Sequence, residues 1–290
     1  MLSELLQALL KGQDKDVLPL GAWVNDGVKL LLSRGAGLFD TVGRVVDNFA
    51  SQVETTFLAL PFWLVLLIVV GVGTWRLKWR FGLFALASLL VIRLTGFWDQ
   101  TMVTLALVFS ATLISLLVGV PLGILCARHD RFNASLRPML DFMQTMPAFV
   151  YLIPAAMLFG LGRVPGILAT VVFAMPPVVR LTALGIRQVN AEQVEAGQAF
   201  GCTPLQLLWK VQLPIALPTL MAGVNQTIMM ALSMVIIASM VGAGGLGNDV
   251  LSSIQRLDIG LGFESGLSVV LLAIILDRLT ESFGTRHLEG

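Results

Sequence analysis

Long intervals without charge set the pattern of this sequence. No charged residue falls between Glu54 and Arg76, between Asp99 and Arg128, or between Lys210 and Asp249. A membrane-crossing helix needs ~20 mostly apolar residues, because the hydrocarbon layer is ~30 Å thick and a helix rises 1.5 Å per residue. On that measure the chain predicts about seven spans: Phe57 to Trp75, Phe81 to Trp98, Thr101 to Ala127, Met146 to Gly162, Val164 to Val179, Leu220 to Gly244 and Phe263 to Leu279. Arg93 sits near the end of the second, where a long side chain can snorkel to the interface.

Ahead of the first span the period changes. Val24, Val28, Leu31, Leu32, Leu38, Val42, Val45, Phe49 and Val53 recur at helical spacing, with Asp26, Lys29, Asp40, Arg44, Asp47 and Glu54 opposite. This amphipathic helix is expected to lie on the outer interface or to pack against the spans, and Gly35 and Gly37 are points at which it could break. Residues 1–56 lack the apolar core and small-residue cleavage site of a signal peptide.

Composition changes the solvent assumed for the rest. Of 290 residues, 56% are hydrophobic and 13% charged, with a mean hydropathy of +0.85. Soluble domains carry about 25% charge, so lipid must cover part of the surface, which excludes a soluble enzyme or a disordered scaffold. The net charge of +1 offers no polyanion-seeking surface and argues against nucleic acid. Cys126 and Cys202 lie far apart with no metal-ligand cluster beside them, and read as small apolar residues. His129 and His287 read as solvated surface. Basic residues then give the orientation. Eleven fall on one side (Arg76, Lys78, Arg80, Arg128, Arg131, Arg137, Arg180, Arg187, Lys210, Arg278, Arg286), against Arg163 and Arg256 in the short loops opposite. The N-terminus is therefore expected outside and the C-terminus in the cytoplasm.

One inner loop, 180–219, is long for a compact membrane protein. Val189 to Phe200 reads as a helix, Gly201-Cys202-Thr203-Pro204 as a break, and Leu205 to Leu213 as a second helix ended by Pro214. Glu195-Ala196-Gly197, then Gly201, then Val211-Gln212-Leu213-Pro214 resembles the EAA loop of ATP-binding-cassette importer permeases. That pattern has Ala at the place of Gly197 and Ile at the place of Val211. Three further stretches narrow the resemblance: Thr145 to Pro154 with Phe159 to Gly162, Pro176 to Thr182, and Val241 to Gly247. Over roughly residues 57–280 the chain is similar to bacterial glycine betaine/proline betaine/choline importer permeases.

The resemblance implies an all-α type I ABC importer permease with a division of labour. ATP and Mg would bind a separate ABC ATPase subunit, and an extracytoplasmic binding protein would deliver solute. The permease would pair with a second copy in the lipid bilayer, its loop transmitting ATPase movement. Glu195 and Ala196 would begin the docking region, Gly201 would make its turn, and Val211, Leu213 and Pro214 would close it. In keeping with a chain that is no enzyme, the sequence has neither a G-x-x-x-x-G-K-[ST] phosphate loop nor an H-E-x-x-H zinc motif. No metal or other cofactor is expected in it.

The implied organisation is an extracytoplasmic segment 1–56, two scaffold helices in 57–100, a core 101–280 containing the loop, and a cytoplasmic tail 281–290. The sixth span is the candidate pathway helix. Asn225, Gln226 and Ser233 are costly against lipid, and Met229, Met230 and Met234 offer polarisable surface to a quaternary ammonium. The competing reading is that such polar residues knit helices together. A secondary transporter is the rival function, and it would be expected to carry an ionisable coupling site near the midplane.

Overall fold

The computed structural model describes residues 20–285, all of whose regular elements are helical. In chain order they are α1 Leu20–Ala59, α2 Phe62–Leu77, α3 Trp79–Leu94, α4 Trp98–Arg128, α5 Asp130–Thr145, α6 Ala148–Phe159, α7 Arg163–Arg187, α8 Ala191–Ala199 and α9 Pro204–Leu207. A π-helical turn, Leu208–Gln212, leads into α10 Leu213–Ala238, followed by α11 Leu246–Arg256 and α12 Ile259–Thr285. The expected tail beyond Thr285, with Arg286 and His287, and the first part of the N-terminal segment lie outside the described residues.

Among the described residues, four helical stretches are long and apolar enough to cross a membrane: Trp98–Arg128, Arg163–Arg187, Pro204–Val241 and Ile259–Gly284. The number rises to six if each of two bent pairs is one crossing, Ser33–Ala59 with Phe62–Leu77 (93°) and Asp130–Thr145 with Ala148–Phe159 (99°). Every expected span but the second falls on one of these. The second corresponds to α3, whose 16 residues reach only ~24 Å at 1.5 Å per residue.

The chain divides into two compact units after Arg44, ahead of the boundary expected at 56. In the first, the apolar side chains Trp23, Leu30 and Leu38 are exposed, as are Asp26 and Lys29. The helix does not break at Gly35 or Gly37. A single glycine costs an α-helix ~1 kcal/mol, which the intact backbone ladder on both sides outlasts. Of the two expected placements, residues 45–59 follow packing against the spans. Val46 and Ala50 are buried with Leu107, Val108, Ala111, Leu152 and Ala155. Arg163 holds this segment through Asp47 (2.8 Å) and Glu54 (2.8 Å).

In the larger unit α7 is the central helix, packed between α4 and α10. Its contact faces are built from small residues, which let helix backbones approach where lipid supplies no hydrophobic drive. Gly123 shows how closely: a Cβ there would lie 2.6 Å from the Thr182 Cβ and 2.8 Å from the Val179 carbonyl oxygen. The buried hydroxyls of Thr101, Thr104 and Thr170 donate back to carbonyls one turn earlier in their own helices. Asp99 in the first turn of α4 and Arg128 in its last complement the helix dipole.

Candidate coupling loop and pathway helix

The loop expected over 180–219 is mostly ordered helix. α7 continues to Arg187, so the irregular chain shrinks to 188–190 and 200–203. α8 begins at an Asn190 cap, whose side-chain oxygen accepts from the Glu192 N–H (3.3 Å). α9 begins at a reciprocal cap: Thr203 Oγ1 accepts from the Gln206 N–H (3.3 Å), and Gln206 Oε1 accepts from the Thr203 N–H (2.9 Å). Thr203-Pro204-Leu205-Gln206 carries that signal in the sequence, and the sequence reading missed it.

Pro214 does not end the second helix. The chain passes through Pro214 and Pro218 into α10. A proline at 214 cannot donate to the carbonyl of residue 210, and its ring crowds that carbonyl. The backbone widens over Leu208–Gln212 instead, with Leu213 N–H donating to the Leu208 carbonyl, five residues back. The π-helical turn removes the clash and lets a single helical rod run from the loop into the bilayer span.

Gly201 has φ +77°, in the left-handed region that glycine enters without strain. A Cβ there would meet nothing within 4 Å of this chain. Gly197 faces inward: its Cβ would lie 2.7 Å from Leu207 Cδ1 and 3.6 Å from Val211 Cγ2. Packing against α9 thus explains a glycine where the EAA pattern has alanine. Glu195 and Ala196 are exposed, Val211 and Leu213 half-buried, and Pro214 exposed. Glu195 lines a cavity of about 510 Å³ with Arg128, Arg187, Gln198 and Gln212.

The loop also carries three apolar side chains that the sequence reading did not single out. Phe200 is 90% exposed, Trp209 63% and Leu205 61%. They project from a segment whose other large apolar residues, Leu207 and Leu208, are buried. Exposed apolar groups clustered on a polar-rimmed surface are the kind of patch that other proteins bind.

On α10 the six candidate pathway residues separate into two faces. Gln226 and Ser233 are exposed and Met229 and Met230 half-buried, all on one side at helical spacing. The Met230 sulfur accepts from Gln144 Nε2 (3.7 Å), and the Ser233 hydroxyl donates to the Met229 carbonyl (3.0 Å). Met234 is 0% exposed, in the core with Leu232, Val235 and Ala238. Asn225 turns toward α12: its amide donates to Asp277 Oδ1 (3.0 Å), and its carbonyl accepts from the Thr280 hydroxyl. Asn225 thus binds α10 to α12, which was the competing sequence reading, while Met234 packs in the core. The polarity that suggested a pathway is shared by residues that only pair within the protomer.

The fold resembles a solved inward-facing structure of the MetNI methionine ABC transporter, with a TM-score of 0.56 at 24% identity over 66% of this chain and 94% of that one. Among curated proteins, the glycine betaine/proline betaine transport system permease ProW of Escherichia coli is 49% identical over 93% of this chain and 76% of its own length. The glycine betaine/carnitine transport permease GbuB of Listeria monocytogenes is 48% identical over 93% of this chain and 96% of its own. Residues 119–287 match the family described as binding-protein-dependent transport system inner membrane component, and the chain belongs to that family.

Proposed function

We propose that this chain forms the translocation pathway of an ATP-driven importer for a quaternary-amine solute: glycine betaine, proline betaine or choline. The observation that carries the reading is the exposed loop. Phe200, Leu205 and Trp209 expose apolar surface on a knob stiffened by two caps and joined without a break to α10. A separate ATPase subunit closes on that surface, and the continuous rod converts its motion into tilting of the span. The predominance of Lys and Arg on the loop side puts it in the cytoplasm, with the N-terminus outside.

The pathway reading is narrowed to Gln226, Met229, Met230 and Ser233, which share one partly exposed side of α10, and the second face of the conduit comes from another copy of the chain. A trimethylated nitrogen donates no hydrogen bond, so thioether sulfur and amide oxygen are suitable weak contacts for passage. An extracytoplasmic binding protein supplies the affinity. The substrate class follows the betaines named for the ProW and GbuB relatives.

Isolation of the tagged chain from its own membranes tests this. An ATPase is expected to co-purify, and proteoliposomes of the complex should accumulate glycine betaine only with ATP and the binding protein. Uptake driven by an ion gradient without ATP would overturn the reading in favour of a secondary transporter.

A further inference from the structure

One helix, α4, is bonded near both of its ends to elements distant in the chain, α9 at one and α11 at the other. The coupling loop continues covalently into α7 and α10, but not into α4. α4 reaches it through its last residue: Arg128 Nη2 donates to the Pro204 carbonyl (3.0 Å) at the start of α9. Beside it, Arg187 at the end of α7 donates to the Cys126 carbonyl (2.6 Å) and pairs with Asp130 (2.7 Å). The last carbonyls of a helix lack partners within it, and a guanidinium there makes a short, charge-assisted bond.

At the other end, Thr104 is fully buried on α4, and its hydroxyl accepts from the Leu246 N–H (2.8 Å). The same hydroxyl donates to the Gln100 carbonyl (2.8 Å), so its orientation is fixed. Leu246 is the first residue of α11 and is itself wholly buried. It follows three glycines with positive φ: Gly242 (87°), Gly244 (87°) and Gly245 (75°). A Cβ on Gly245 would stand 2.5 Å from Thr104 Oγ1, so this glycine segment is seated directly on α4. From Thr104 to Arg128 the helix runs ~36 Å at 1.5 Å per residue, more than the hydrocarbon thickness. Pro121 removes one backbone donor along the way, and the flanking Gly119 and Gly123 clamp that stretch on Val178, Val179 and Thr182.

We propose that α4 is a transmission rod. Arg128 fastens its inner end to the coupling loop, and Thr104 fastens its outer end to the glycine segment and α11. Displacement of the loop is thereby delivered to the opposite mouth of the pathway. The proposal rests on the loop being the ATPase contact. Both act as positioning residues, apart from the proposed pathway side of α10. Glycines at positive φ supply the compliance that lets α11 follow the rod while its Leu246 anchor stays bonded.

The test uses the complete importer in proteoliposomes, reading solute moved per ATP hydrolysed beside assembled yield and melting temperature. Thr104→Val keeps the shape of the side chain and removes its hydrogen bonds, and Arg128→Gln is too short to reach Pro204. Each is expected to lower solute per ATP about tenfold, the effect of losing ~1.4 kcal/mol from one such bond. The double variant should be no worse than the worse single, because either cut severs the same rod. Thr104→Ser and Arg128→Lys should restore the ratio. The proposal is overturned by normal ratios in both single variants, by multiplied losses in the double, or by losses that follow melting temperature or yield. Gly201→Asp run in parallel separates the two levels. If it alone uncouples, the rod falls and the loop stands; if it too transports normally, the reading of the loop falls.

Discussion

Gly201 offers a perturbation whose intrachain cost can be worked out in advance. At φ +77° an L-residue bears strain, roughly 1–2 kcal/mol for alanine and less for asparagine or aspartate, which tolerate the left-handed region. No other term arises within the protomer, since a Cβ at this position touches nothing within 4 Å. Strain alone therefore allows a fall of about five- to thirtyfold in the native turn for Gly201→Ala and a smaller one for Gly201→Asn. If an ATPase surface closes over the turn, every added Cβ meets it, and the branched Asn and Asp side chains meet it hardest. The expected order of remaining uptake is Gly, then Ala, then Asn, with Asp lowest. The assay is ATP-dependent glycine betaine uptake in proteoliposomes, beside ATPase stimulation by the loaded binding protein. The strain order, with Asn close to wild type and Ala worst, would show that the turn is merely tight and refute the seated loop.

Other consequences are simpler to read. Cys202, half-buried in the same turn, is expected to react with a membrane-impermeant maleimide from the cytoplasmic side only, buried Cys126 giving little background; labelling from outside would reverse the orientation. Asn225→Leu should cost about 1–3 kcal/mol in detergent melting, because it leaves Asp277 without its amide donor inside a span. Adding Asp277→Asn should recover part of that loss, and no recovery would mean that the pair is not coupled. On α11, burial holds the Asp249 carboxyl above its ordinary value, and its Oδ2 has no hydrogen-bond partner. Its charged form weakens the fold above the ordinary carboxylate range, and stability should rise as pH falls through the raised pKa. Asp249→Asn should raise the melting temperature at neutral pH and flatten that slope, and an unchanged slope would exclude Asp249 as its source.

Sequence alone carried the choice of solvent and the helical class, since a chain with 13% charge and long uncharged intervals has few ways to satisfy its backbone outside lipid-spanning helices. It also marked the candidate loop, because fixed spacing between Glu195, Gly201 and Pro214 is a property of the chain itself. Helix ends were less legible. The continuation through Pro214 depends on a widened turn, which no single residue announces. Which side of α10 is free was hidden for a different reason. Asn225 and Gln226 are adjacent and alike in polarity, yet one is held by Asp277 and Thr280 on α12, and the other is exposed. Periodicity gives faces; only the neighbouring helices decide which face is buried. The bonds from Arg128 to Pro204 and from Thr104 to Leu246 join residues far apart in the chain. Such partners are chosen by packing of α4 against the rest of the bundle, so they exist in the folded protein and have no counterpart in local sequence.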